Sequence, residues 1–353
     1  MKFVPHNYQR YCINRMITDP VLGLFLDMGL GKTVITLTAV NDLRFNRFAV
    51  RKVLVIAPKK VAEDTWTRES QKWDHLKMLR VIPVLGSIKQ RIRAINTPGD
   101  VWVLSRDNVS WLVDYYKNDW PFDMVIIDEL SSFKSNKAKR FRKLKSVRNH
   151  IHRIVGLTGT PTPNGLEDLW AQIYLLDEGK RLGKTLTGYR DNYFTPGARN
   201  GNVIYEYNPR TWADEEINER IKDICISMKA EDYLELPERI DNVRHIKLPD
   251  KAKKQYEELE KTMIADIDGE TIDVTSAAAL SNKLLQLCNG AVYDADGIYH
   301  EVHDEKIEAL KEIIDANAGK GILVFYNFKH DKARIQKALK KSKLRIGEYH
   351  SLE

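Results

Sequence analysis

The stretch VLGLFLDMGLGKT, residues 21–33, decides how the chain is read. An apolar run, VLGLFL (21–26), stops at a glycine-containing turn, and Lys32-Thr33 opens the helix-like VITLTAV. A strand, a turn whose glycines let backbone amides face outward, and a helix entered through Lys-Thr together make a phosphate cradle. In that arrangement Lys32 pairs with β- and γ-phosphates and the Thr33 hydroxyl binds Mg²⁺. The strict GxxxxGK[ST] spacing is not met, because its first position is Leu26.

Four further runs follow: VLVIA (53–57), VWVLS (101–105), MVII (124–127) and RIVGL (153–157). Each is short, rich in β-branched residues and bounded by polar or turn residues, as strands buried on both faces are. Alternation with helical, charged stretches predicts an α/β fold with a doubly wound parallel sheet. Ligands bind such sheets beyond the carboxyl ends of the strands. MVII ends in Asp128 and Glu129. The first carboxylate suits Mg²⁺, and the second can orient and deprotonate an attacking water. RIVGL runs into GLTGTPTPNG (156–165), where Thr158 and Thr160 stand in reach of a γ-phosphate; a Thr- and Pro-rich turn with no such role fits the same residues.

With 353 residues, 43% hydrophobic and 30% charged, the chain has room for two cored domains. No apolar run nears the roughly 18–20 residues of a membrane span. Cys12, Cys225 and Cys288 are far apart and form no CxxC pair, which points to a reducing compartment. Residues 1–177 are read as one lobe and 178–240 as a mostly helical insertion and linker. The insertion carries a hairpin around Asn200-Gly201 and an amphipathic helix near 213–228. Residues 241–353 form a second α/β stretch: helices over 251–264 and 304–317, hairpins at Asp268-Gly269 and Asp296-Gly297, and a strand at ILVFY (322–326).

Residues 131–153 carry Lys134, Lys137, Lys139, Arg140, Arg142, Lys143, Lys145, Arg148 and Arg153 without an acid among them. Phe141, Leu144 and Val147 give this segment an inward face and leave the cations outward. They either track a polyanion or form a solvated helix face. Lys59, Lys60 and Arg106 follow other strands and suit backbone contacts. No helix-turn-helix or finger pattern is present, so nucleic-acid binding would be independent of sequence. Trp66, Trp73, Trp102, Trp111 and Trp120 are read as core, and His300, His303 and DADG (294–297) as structural.

The three motifs, in this order, resemble superfamily 2 helicases, and more narrowly the Swi/Snf-like double-stranded DNA translocases of compact phage or bacterial type. NYQRYCINRM is similar to the Q-motif, whose glutamine, here Gln9, reads adenine. VLVIAPKKVAEDTWTRESQKW (53–73) resembles motif Ia, VWVLSRDNV (101–109) motif Ib and LTGTPTPNGLEDLW (157–170) motif III. MKAEDYLELPER (228–239) looks like the entry to a second RecA-like lobe, KLLQLCNG its opening and ILVFYNF its motif IV. The resemblance implies a RecA-like ATP site of Gln9, Met28, Gly29, Leu30, Gly31, Lys32, Thr33 and Val34. It makes Lys32, Asp128 and Glu129 catalytic, Thr33 and Asp128 the Mg²⁺ ligands, and Thr158 and Thr160 the coupling residues. Lys59, Arg106, Lys134, Lys137, Lys139, Arg140, Arg142 and Lys143 would meet double-stranded DNA, in the cytoplasm of a bacterial or phage-infected cell.

Two departures qualify it. Motif II reads DELS, with Leu130 and Ser131, where the family has DEAH or DEGH. Nothing after ILVFYNF resembles motifs V and VI, so the second lobe is expected to be incomplete and the chain alone to hydrolyse ATP poorly. A nucleotide-gated DNA-binding switch and a strand-separating helicase are the alternatives.

Overall fold

The computed structural model describes residues 1–200, 203–234, 240–267, 269–274, 276–317, 320–340, 342 and 344–347. The chain divides into two compact units, Met1–Pro237 and Glu238–Glu353.

The first unit is built on the five runs read from the sequence. They form β1 (Val21–Leu26), β2 (Val53–Ala57), β4 (Val101–Ser105), β5 (Met124–Asp128) and β6 (Arg153–Thr158). Two more strands join them: β3 (Val81–Val84), and Cys225–Met228, which is β11 once the short strands described below take β7 to β10. The order is β11-β1-β6-β5-β2-β4-β3, with every neighbouring pair parallel.

Alternation along each strand feeds two cores. Leu22, Leu24, Leu26, Val53, Val55, Val101, Val103 and Ile126 face α1 (Asn7–Thr18), α2 (Lys32–Asn41) and α3 (Trp66–Lys72). Phe25, Leu54, Ile56, Trp102, Leu104, Val125 and Ile127 face the other side. There they meet α5 (Val109–Tyr116), α6 (Lys139–Ser146), α7 (Leu169–Asp177) and α9 (Ala213–Ile221). The amphipathic α4 (Ile88–Ile95) follows β3, capped by Ser87 and Gln90.

Two expectations change here. The helix placed at 213–228 ends at Ile221, and Cys225–Met228 turns into β11 beside β1, in register Gly23↔Cys225 to Leu26↔Met228. Ile224, Cys225 and Ile226 are buried against the sheet, which outweighs helical propensity in a segment this short. β3 escaped the reading because VIPV is only partly buried and carries Pro83, tolerated at a sheet edge. Between α8 (Leu186–Tyr193) and α9, β7 (Phe194–Pro196) pairs with β10 (Tyr207–Pro209), and β8 (Arg199–Asn200) pairs with β9 (Val203–Ile204). The turn expected at Asn200-Gly201 reaches outside the described residues, as do residues 235–239 of the expected lobe entry.

The second unit has α10 (Asp250–Thr262), a hairpin of β12 (Ile264–Ile267) with β13 (Glu270–Asp273), and α11 (Ala277–Cys288). A second hairpin, β14 (Ala291–Tyr293) with β15 (Tyr299–Glu301), precedes α12 (Glu305–Ala316) and α13 (Lys329–Leu339). Leu259, Ala265, Ile267, Ile272, Leu287 and Val292 make its small core. Asp268 of the first expected turn lies outside the described residues. ILVFY (322–326) is not a strand: no ladder partner lies beside it among the described residues, and Leu323 and Phe325 are 72% and 86% exposed. β-propensity alone does not form a strand without a neighbour.

Close packing at the sheet centre is testable at Gly156 of β6. A Cβ there would come within 2.5 Å of Leu130 Cδ2, and Leu130 is completely buried. Gly156→Ala is expected to lower the unfolding free energy in urea by about 1–3 kcal/mol with the fold retained.

Candidate nucleotide site

β1, β6 and β5 are adjacent, so the residues following them share one edge of the sheet. After β1 the backbone turns through Gly29 (φ 88°) and Gly31 (φ 79°), left-handed values that suit glycine. Gly31 caps α2, and among the described residues no side chain bonds the first-turn amides, which leaves them available to an anion. Lys32 is half-buried and donates from Nζ to Leu26 O (2.6 Å) and Asp27 O (3.1 Å). Burial lowers its pKa, while Asp128, Glu129 and Asp27 pull it back up. Thr33 and Val34 follow in the first turn, and Met28 projects outward, 84% exposed.

Gln9, on α1, locks onto this loop. Its Nε2 donates to Leu30 O (3.3 Å), its Oε1 accepts from His6 N (3.0 Å), and the Tyr8 hydroxyl donates to Leu30 O (3.3 Å). A cleft of about 720 Å³ opens between the loop, the N-terminal segment and α3. Gln9, Lys32, Thr33, Phe3, Glu69 and Trp73 help to line it.

Asp128 closes β5, and its Oδ2 accepts from the Trp66 indole Nε1 at 3.0 Å. Burial pushes the Asp128 carboxyl above the ordinary carboxylate range and the Glu129 charge adds to this, while the Trp66 bond and Lys32 oppose it. Glu129 adopts φ 59°, a left-handed value rare without glycine and costing about 1–3 kcal/mol. Its Oε1 accepts from the Ser131 hydroxyl and from Thr158 Oγ1 (3.0 Å), and Thr158 Oγ1 in turn accepts from Thr160 N (3.2 Å). The DELS variant therefore still carries hydrogen bonds from the acidic pair into the β6 loop.

Sequence reasoning missed three participants. Trp66 falls within the motif Ia resemblance, but its ring is read as core and its bond to Asp128 is not foreseen; it is fully buried, and the need of a buried indole N–H for an acceptor is a usable signal. Trp73, also read as core, lines the cleft, its Nε1 on Glu69 Oε2 (2.7 Å) and its ring edge-on to Phe3. The segment after β11 packs against the phosphate loop: Ala230 N donates to Asp27 Oδ2 (2.9 Å), and the Tyr233 ring lies tilted against Tyr8, centroids 4.9 Å apart. No local pattern announces that contact, because it follows from β11 joining the sheet.

The basic segment is more mixed than its composition. α6 buries Phe141 and Leu144, with Val147 buried just beyond, as expected. Arg148 is not outward: it is buried and donates to Leu175 O, Ile151 O and Leu176 O. Arg153 likewise serves Met16 O, Ile17 O and Asp19 O. Both satisfy backbone carbonyls, a need that a count of charges overlooks. Lys134 reaches Asp168 (3.4 Å), Arg140 holds Ser132 O (2.8 Å), Lys143 pairs with Asp114, and Lys145 lies over the Tyr174 ring (4.3 Å). Lys137, Lys139 and Arg142 are exposed without an ion pair among the described residues. Lys59 is exposed, 3.9 Å from Glu63, and Arg106 is half-buried just after β4. Elsewhere, His300 bonds Asp294 (2.8 Å) and His303 bonds Leu287 O (3.1 Å). Cys12, Cys225 and Cys288 are free.

A family description of the SNF2-related domain matches residues 8–291, most of the chain, including the phosphate loop, the acidic pair and Gln9. The chain belongs to the SNF2-related family. Protein p41 of Acyrthosiphon pisum secondary endosymbiont phage 1 is 37% identical over 348 residues, covering 97% of this chain and 76% of that protein. The DNA annealing helicase and endonuclease ZRANB3 of Bos taurus is 30% identical over 263 residues, 69% of this chain and 23% of ZRANB3. The chain thus spans about a quarter of that larger SNF2-related protein. The Sulfolobus solfataricus SWI2/SNF2 ATPase core, solved in complex with dsDNA, matches in fold with a TM-score of 0.56 at 22% identity, over 97% of this chain and 71% of that one. The SNF2-related sheet described above is accordingly the RecA-like fold of superfamily 2.

The Asp128 environment has a stability consequence. A carboxyl whose folded-state pKa is raised costs nothing at acid pH. The cost appears as pH rises from the unfolded-state value through the folded one, and is then constant. Asp128→Asn is therefore expected to raise the thermal midpoint of the ligand-free protein at pH 7 but not at pH 3. Differential scanning calorimetry at the two pH values checks this, and a drop in midpoint at pH 7 would contradict it.

Proposed function

We propose that the chain is an ATP-driven motor module that couples ATP hydrolysis to movement along double-stranded DNA without reading its sequence. The observation that carries this reading is the convergence of Lys32, Asp128 and Glu129 at one edge of the sheet, after β1 and β5 with only β6 between them, and a hydrogen-bonded path from Glu129 to Thr158 and Thr160.

In this reading Gln9, already turned toward the loop, reads the adenine edge. The backbone from Met28 to Val34 cradles the phosphates. Lys32 exchanges its two carbonyl partners for phosphate oxygens, an exchange its partial burial favours because the phosphate charge restores what desolvation removes. Thr33 and Asp128 fit a hard divalent ion, being oxygen donors at the loop and at the strand facing it. Bound Mg²⁺ neutralises charge on the phosphates. Glu129 orients a water and takes its proton, while the Ser131 and Thr158 hydroxyls on Oε1 fix the direction of the other oxygen. Thr158 and Thr160 pass the state of Glu129 to the β6 loop.

Lys137, Lys139 and Arg142 are the side chains freest to meet a DNA backbone, and Lys59 and Arg106 stand at the ends of other strands. Lys134, Arg140 and Lys143 already have protein partners and would exchange or share them. ZRANB3 is named as a DNA annealing helicase, and the SWI2/SNF2 core was solved with dsDNA, which supports duplex DNA as the track.

Two experiments test this. In a version extended through motifs V and VI, Glu129→Gln is expected to lower duplex-stimulated ATP turnover by about 10²–10⁴-fold while retaining ATP binding, and Lys32→Ala to lose binding. ATP binding with no turnover on any nucleic acid, by a version extended through motifs V and VI, would instead indicate a nucleotide-gated switch. Replacing Lys137, Lys139 and Arg142 by Ala is expected to flatten the dependence of log affinity for duplex DNA on log salt by about 2.7. An unchanged slope would place the DNA elsewhere.

A further inference from the structure

Trp66 opens α3 and is completely buried, yet its indole N–H crosses to a carboxylate 62 positions away. The other bonded indoles behave differently. Trp73 bonds Glu69 one turn back, and Trp120 and Trp170 donate to backbone carbonyls. We propose that Trp66 is the positioning residue of the metal site: by holding Asp128 through Oδ2 it turns the other carboxylate oxygen, Oδ1, toward a divalent cation beneath the phosphate loop. The proposal rests on reading residues 27–33 and Asp128 as a metal–nucleotide site.

The argument is geometric. A carboxylate at the end of a strand rotates broadly about its last torsion, and metal binding must freeze that rotation. A donor on one oxygen freezes it in advance, as partners behind metal ligands do. Indole is suited to this task. It donates one hydrogen bond and accepts none, so it cannot compete for the cation. Its flat ring has two torsions, and here it is packed in the core shared by α1, α2, α3 and the sheet. Asp128 Oδ1 has no side-chain donor among the described residues, the Glu129 backbone N–H being the other donor to this carboxyl, and Lys32, at the loop, lies close enough to feel the Asp128 charge.

The test uses the full chain and reads metal binding rather than turnover. Mn²⁺ is titrated by electron paramagnetic resonance with saturating ADP, and affinity for a fluorescent ADP analogue is measured without metal. Trp66→Phe is expected to weaken Mn²⁺ binding about 10- to 100-fold and leave metal-free nucleotide affinity unchanged. Should the smaller ring destabilise the fold, 3-benzothienylalanine at position 66 keeps the bicyclic shape and replaces the N–H by sulfur. The same selective loss is expected there. Wild-type Mn²⁺ affinity in that variant, or equal loss of metal and metal-free nucleotide binding, would overturn the role of Trp66. If the unmodified chain itself binds no Mn²⁺ with ADP, the nucleotide-site reading fails and the proposal falls with it.

Discussion

The half-buried ammonium of Lys32 is the constraint on which the site turns. Burial disfavours its charge, and two backbone carbonyls together with Asp128, Glu129 and Asp27 offset this only in part. That balance requires the phosphate loop and the acidic pair to lie close together at one edge of the sheet, and the order β1-β6-β5 puts only a single strand between them. Burial, with the Glu129 charge adding to it, raises the Asp128 carboxyl, and Glu129 beside it adopts a left-handed conformation. Ligand-free, the arrangement is a compromise; an anion at the loop and a cation at Asp128 would relieve it.

Around that centre the first unit is a set of supports. Trp66 steadies Asp128 from α3, Gln9 and Tyr8 steady the loop from α1, and Ala230 and Tyr233 reach it from the far side of β11. The supports come from sequence positions up to about two hundred residues apart, as the Asp27–Ala230 bond illustrates with its separation of 203. Such contacts are made by topology, so the parallel sheet is what allows one small cleft to be addressed from so many directions.

Much of this was legible beforehand because buried parallel strands are written as short continuous apolar runs, and five of the seven were read with ends within a residue of those observed. The phosphate loop and acidic pair were legible because their chemistry needs particular residues immediately after such runs. β3 and β11 were not: one carries a proline, and the other, four residues long, looks like the tail of a helix. Charge was the weakest guide. Arg148 and Arg153 contribute to a basic count and yet are consumed by backbone carbonyls, a distinction made only by tertiary packing. ILVFY shows the converse, a strand-like composition with no ladder to join.

The most direct test of the account is a crystal structure of the chain with Mg²⁺ and a non-hydrolysable ATP analogue. The account predicts that Lys32 Nζ leaves Leu26 O and Asp27 O for phosphate oxygens, that Thr33 and Asp128 meet the metal, and that Trp66 Nε1 stays on Asp128 Oδ2. An analogue bound away from residues 27–33, or Lys32 still on the two carbonyls with the analogue present, would contradict it.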